Sequence, residues 1–166
     1  DDSYVIHQVF NIKPDVNLQL FKKTWQFIID YIPQLKSGFF WRKLRWPVAY
    51  TVKHLDINWY DVDLSHLAES DIPQEREKYQ RIASETIRDI SKPNLNYFTL
   101  IKTSMGSLFI WSYHHILIDG WSKSLILKYF KIIYNEDIYQ PGSFNQIRSA
   151  YQYYLNTLNQ KEAEQF

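Results

Sequence analysis

YFTLIKTSMGSLFIWSYHHILIDGWS, residues 97–122, is the stretch on which the fold turns. Tyr97 to Thr103 and Ser107 to Tyr113 are rich in the β-branched and aromatic residues that suit a pleated, half-buried surface, and they predict two strands. Between them Ser104-Met105-Gly106 is a short turn whose glycine can take a positive φ, which makes the pair a β-hairpin. The second strand runs straight into His114 and His115. Three apolar residues later Asp119-Gly120 opens Trp121 to Tyr134, a predicted helix.

Working outward, Tyr4 to Ile12 reads as a strand ended by Lys13-Pro14-Asp15. From Asn17 to about Tyr31, Leu18, Phe21, Trp25 and Ile28 recur at three- and four-residue spacing, a helix with one apolar stripe that Pro33 stops. Ser37 to Trp41 and Pro47 to Lys53 predict two further strands, whereas Asp56 to Ser70 shows no period and is taken as irregular. Pro73 suits a first helical turn, and Gln74 to Ile90 then points Tyr79, Ile82, Ala83, Thr86, Ile87 and Ile90 inward. Asn145 to about Leu158 predicts a last helix beyond the breaker Tyr139-Gln140-Pro141-Gly142. Strands and helices alternating in this way imply an α/β layered structure, one domain over 1–166 with a sheet and helices packed against it.

Hydrophobic residues make up 45% and aromatics 17% of the 166 residues, enough apolar surface for a real core. The formal charge is only +1 with basic residues scattered, so a nucleic-acid partner is not expected. There is no cysteine, which excludes thiolate nucleophiles, CxxC zinc sites and iron–sulfur clusters and suits a reducing, cytoplasmic compartment. The apolar runs are far shorter than the roughly 20 residues of a membrane span, so a soluble chain with no membrane partner is expected. No GxGxxG or GxxxxGK[ST] offers a phosphate cradle for a nucleotide. Trp41, Trp46, Trp59 and Trp111 are expected in the core.

The paired histidines at a strand-to-helix junction are hard to explain by packing. Neighbouring side chains of an extended segment point to opposite faces, so His114 and His115 are not expected to line one pocket together: one faces inward, the other the cleft. A histidine serves as a base because its ordinary pKa near 6.5 lets it take a proton at neutral pH. A lone strand-end histidine is more often structural, and the longer HHxxxDG pattern is what points to chemistry. A metal is not expected, since adjacent histidines diverge and no third well-spaced ligand follows. A serine triad is not expected either, because no GxSxG elbow precedes the pair.

The run from Tyr113 to Ser122 resembles the third core motif of the condensation domains of nonribosomal peptide synthetases, in the chloramphenicol-acetyltransferase-like superfamily. Asp89 to Leu95 (DISKPNL) resembles that family's approach to the hairpin, Ile32 to Ser37 (IPQLKS) its second core motif, and Ser143 to Phe166 the close of its first lobe. The resemblance implies a mixed sheet with helices packed against it, and a chain that is the N-terminal lobe alone, its C-terminal lobe absent. It makes His115 the catalytic residue. His114 belongs to the motif, Asp119 is mainly structural, Gly120 gives a tight backbone path, and Trp121 and Ser122 pack and cap the following helix.

The first core motif is missing, and Tyr31 and Lys36 stand where arginines are expected. Lys36 is thus either a partner of Asp119 or an ordinary surface lysine. The implied reaction is amide formation between donor and acceptor thioesters carried on phosphopantetheine, with no cofactor bound directly. The implied partners are donor and acceptor peptidyl carrier proteins, the C-terminal lobe and an adjacent adenylation domain. Rival readings are another HHxxxDG acyltransferase using acyl-CoA or a carrier-bound donor, and a non-catalytic lobe that recruits carriers; Trp121-Ser122 argue for condensation. The isolated lobe is expected to be inactive.

Overall fold

The computed structural model describes residues 4–136; the helix expected from Asn145 and the segment from Ser143 to Phe166 lie outside them. The order is β1 (Val5–Ile12), α1 (Leu18–Tyr31), a 3₁₀ turn (Pro33–Lys36), β2 (Ser37–Phe40), β3 (Val48–Thr51), β4 (Asn58–Asp63), α2 (Ile72–Ile87), β5 (Asn96–Lys102), β6 (Ser107–His114) and α3 (Gly120–Glu136). A mixed sheet runs β1-β6-β5-β4, and β2 and β3 form a separate antiparallel hairpin.

Local signals set the boundaries. The Asn17 side chain accepts the Leu20 amide at 3.0 Å and starts α1, and Ile32 before Pro33 turns extended and ends it. Gly106 has φ +151°, the conformation for which the turn needs glycine, and β5 and β6 pair from Asn96 opposite Tyr113 to Lys102 opposite Ser107. Asp56 to Ser70 departs from the expectation of an irregular stretch: Asn58 to Asp63 form β4, parallel to β5.

The period-2 alternation of the central strands sorts two cores. Phe98, Leu100, Phe109, Trp111 and Tyr113 face α1 and α3, packing on Phe21, Trp25, Ile28, Ile126 and Ile133. Tyr97, Ile101 and Ile110 face the other way, towards Ala83, Ile87 and Ile72 of α2. Within α2, Ile82 and Thr86 are exposed rather than inward, because only one narrow stripe of the helix meets the sheet. Trp111 is buried and Trp59 packs on the core as expected, but Trp41 and Trp46 are 41% and 71% exposed. Both lie at the tip of the β2–β3 hairpin, past the sheet that could cover them, each carrying an arginine over its ring.

Candidate active site

β6 delivers the histidines, and its sequence explains how. The strand is buried from Phe109 to His114 and held on both sides, by β1 and by β5. At its end the His114 amide donates to the Leu95 carbonyl at 3.0 Å and the His115 amide to the Tyr4 carbonyl at 2.7 Å. The chain then turns, with the Leu117 amide on the His114 carbonyl, and Ile118 plugs the core.

The two imidazoles have different surroundings. His114 is 7% exposed, stacks on the Tyr4 ring at 6.1 Å, and accepts the Ile116 amide on Nδ1 at 3.2 Å. An accepting Nδ1 places the proton of a neutral ring on Nε2. His115 is exposed, and only its backbone is tied down.

Both histidines border one cavity of about 1130 Å³, which corrects the expectation that they could not share a pocket. Strict alternation ends with the strand at His114, and His115 already belongs to the turn. Tyr4 and Ile116 complete that wall. The rest of the lining is Phe40, Trp41 and Arg42 from the β2–β3 hairpin, with Arg88 to Ser91 after α2. Of these, only the segment beginning at Asp89 was marked by the sequence. Tyr4, Arg42 and Arg88 carry no motif, and the one local signal is the run of cations with no carboxylate between Tyr31 and Leu55.

Asp119 caps α3. Its Oδ1 accepts the Ser122 amide at 2.7 Å, and that bond together with the Ser122 hydroxyl holds the exposed carboxyl below its ordinary value. The cap is therefore Asp119 and not Ser122, whose hydroxyl bonds back to the aspartate. Trp121 is 84% exposed, so among the described residues it is not packed into the fold, contrary to expectation. Gly120 has no positive φ, and a Cβ there would meet nothing within 4 Å, so no tight path requires glycine among the described residues.

Lys36 is neither a partner of Asp119 nor a surface lysine. It is 7% exposed, and its ammonium donates to the carbonyls of Asp30 and Lys53, the latter at 2.6 Å. The last-turn carbonyls of α1 lack helical partners and attract a cation, which draws the side chain inward.

A family model described as Condensation domain matches residues 1–166. A linear gramicidin synthase protein of Brevibacillus parabrevis is 27% identical over 169 residues, covering 98% of this chain and 3% of that protein. Chondramide synthase cmdD of Chondromyces crocatus is 28% identical over 128 residues, covering 77% and 3%. The chain thus spans about 3% of the length of these relatives.

Among solved structures, the EpoB NRPS cyclization-docking bidomain of Sorangium cellulosum superposes with TM-score 0.67 at 15% identity, over 81% of this chain and 26% of that one. The first condensation domain of the calcium-dependent antibiotic synthetase gives 0.65 at 18% identity, over 78% and 32%. At such identities these structures speak for the fold, the chloramphenicol-acetyltransferase-like layering. With a strand that ends in paired histidines on a cavity, and a family match running its full length, the chain belongs to the condensation domain family.

Proposed function

We propose that the chain is the N-terminal lobe of a nonribosomal peptide synthetase condensation domain and that His115 serves amide formation between two carrier-bound thioesters. The observation that carries this reading is the contrast within the histidine pair: His114 is buried and bonded through its ring, whereas His115 presents an exposed imidazole to the cavity. In the proposed step the acceptor amine attacks the donor thioester carbon, the new C–N bond forms and the C–S bond breaks. The amine's proton passes to the His115 imidazole and from it to the departing pantetheine thiolate, which leaves His115 neutral for the next cycle. His115 would also orient the amine by accepting its hydrogen bond. His114 and Asp119 act by position, one fixing the end of β6 and the other the start of α3.

The phosphopantetheine arms belong to donor and acceptor carrier proteins. A C-terminal lobe would close the cavity at Ile116 and cover Trp121, which are 44% and 84% exposed. An adenylation domain would supply the acceptor. The test is a single-turnover assay with both carriers loaded, comparing this lobe, the lobe joined to a C-terminal lobe, and the joined form with His115→Ala. Dipeptide from the joined form alone is expected; no dipeptide from the joined form across several substrate pairs would move the assignment to a lobe that recruits carriers without catalysing.

A further inference from the structure

The part of the cavity lining that comes from the β2–β3 hairpin and the end of α2 carries charge that the proposed chemistry does not use. Arg42 rises from the β2–β3 hairpin, Arg88 follows the last turn of α2, and both border the cavity. Among the described residues neither guanidinium forms an ion pair with a carboxylate. The carboxylate that shares the cavity, Asp89, accepts the Ser91 amide at 3.1 Å and the Ser91 hydroxyl at 2.6 Å. Its charge is felt by Arg42 only at longer range. The wall thus holds two guanidiniums against one carboxylate already bonded by its neighbour.

The surroundings strengthen the field. Lys43 and Arg45 crowd the same hairpin tip, and no Asp or Glu occurs from Tyr31 to Leu55. A cleft walled by one sign of charge concentrates ligands of the other sign. Arg42 also lies over the Trp41 ring at 5.5 Å, which restricts its side chain before any ligand arrives. Planar guanidiniums match the paired oxygens of phosphate and carboxylate, which a lysine's point charge does not.

We propose that Arg42 and Arg88 form an anion subsite in the cavity they share with His115, which takes an oxyanion of the substrate: the phosphate of a pantetheine arm or a carboxylate on the acyl group. The proposal rests on the reading that substrate occupies the His115 cavity, and it adds an assignment of two residues that no motif marks.

The test is calorimetric binding to the intact two-lobed domain of four probes in two pairs: phosphopantetheine against pantetheine, and the glutamyl against the glutaminyl thioester of pantetheine. The anionic member of at least one pair is expected to bind roughly tenfold or more tightly than its neutral twin, the range for hydrogen bonds to charged groups. The double variant Arg42→Gln, Arg88→Gln should abolish that preference, and Arg42→Lys should keep part of it. Both arginines are exposed, so thermal unfolding of the variants should match the parent. Discrimination within the first pair assigns the subsite to the arm, and within the second to the acyl group.

Equal binding within both pairs, a preference that survives the double substitution, or no binding of any probe at millimolar concentration would overturn the proposal. Binding needs no turnover. A domain that discriminates yet forms no amide contradicts the condensation reading while leaving the subsite in place.

Discussion

At His115 the backbone does the anchoring: its amide is held by Tyr4 while the imidazole remains exposed to the cavity. Asp119 is the reverse case, a side chain spent on backbone. Asp119→Ala removes the acceptor of the Ser122 amide and should lower the unfolding midpoint by a few degrees, whereas Asp119→Asn should keep most of the cap. Because its carboxyl is held below the ordinary value, its contribution is present above the unfolded pKa and is lost as pH falls through the folded one. His7 has the same sense, its contribution also lost on acidification, but over a higher pH range. Its ring lies between Ser112 at 2.8 Å and Ser84 at 3.2 Å, and burial lowers its pKa. The unfolded chain therefore takes the proton first, and the His7 contribution to stability should fall as pH drops through about 6.5. His54, between two aspartates, has its pKa raised and gives the reverse slope. Denaturant unfolding of the parent and of His7→Gln at several pH values between 5 and 8 isolates the His7 share: the parent should lose stability relative to the variant as pH falls.

Between elements, buried polar bridges hold the parts that position the site. The Trp111 indole N–H donates to Asn96 Oδ1 at 3.1 Å, and the Asn96 amide donates to the Leu35 carbonyl at 3.2 Å, tying β6 through β5 to the 3₁₀ turn. Asn96→Ala strands both partners and should cost about 2–4 kcal/mol in chemical denaturation. Gly38 matters through contact rather than dihedral freedom: a Cβ there would come within 2.6 Å of the Tyr50 ring, whose hydroxyl donates to the Ser91 carbonyl at 2.8 Å. Gly38→Ala should push Tyr50 off that bond, destabilise by about 1–3 kcal/mol and disturb the cavity wall at Ser91.

Elements with a strong local signal were legible in the sequence: the β5–β6 hairpin from its turn glycine, and α1 from its stripe and its stop at Pro33. The strand β4 was not. Asn58, Asp61 and Asp63 are poor strand formers, and its order comes from a parallel partner nearly forty positions away, a pairing no local window contains. Lys36 was misread for the same reason, since a buried lysine can be recognised only once the distant carbonyls it serves are in place.

Across the whole molecule, the two faces of the sheet divide the labour. α1 and α3 bury one face and α2 the other, and the cavity opens where β6 leaves the sheet beside the β2–β3 hairpin. The histidine motif was visible in the sequence because its residues lie in adjacent positions, and both histidines border the cavity. The rest of the cavity lining was not, because it assembles from a hairpin tip and a helix end brought together by the fold. The most direct measurement is single-turnover amide formation by this chain joined to a C-terminal lobe as proposed above, with His115→Ala, run beside thermal unfolding of the same variant. A loss of roughly a hundredfold or more at an unchanged unfolding midpoint is expected, because His115 is exposed and the proposed reaction uses its ring for proton transfer rather than packing. Turnover within a few-fold of the parent would contradict that assignment.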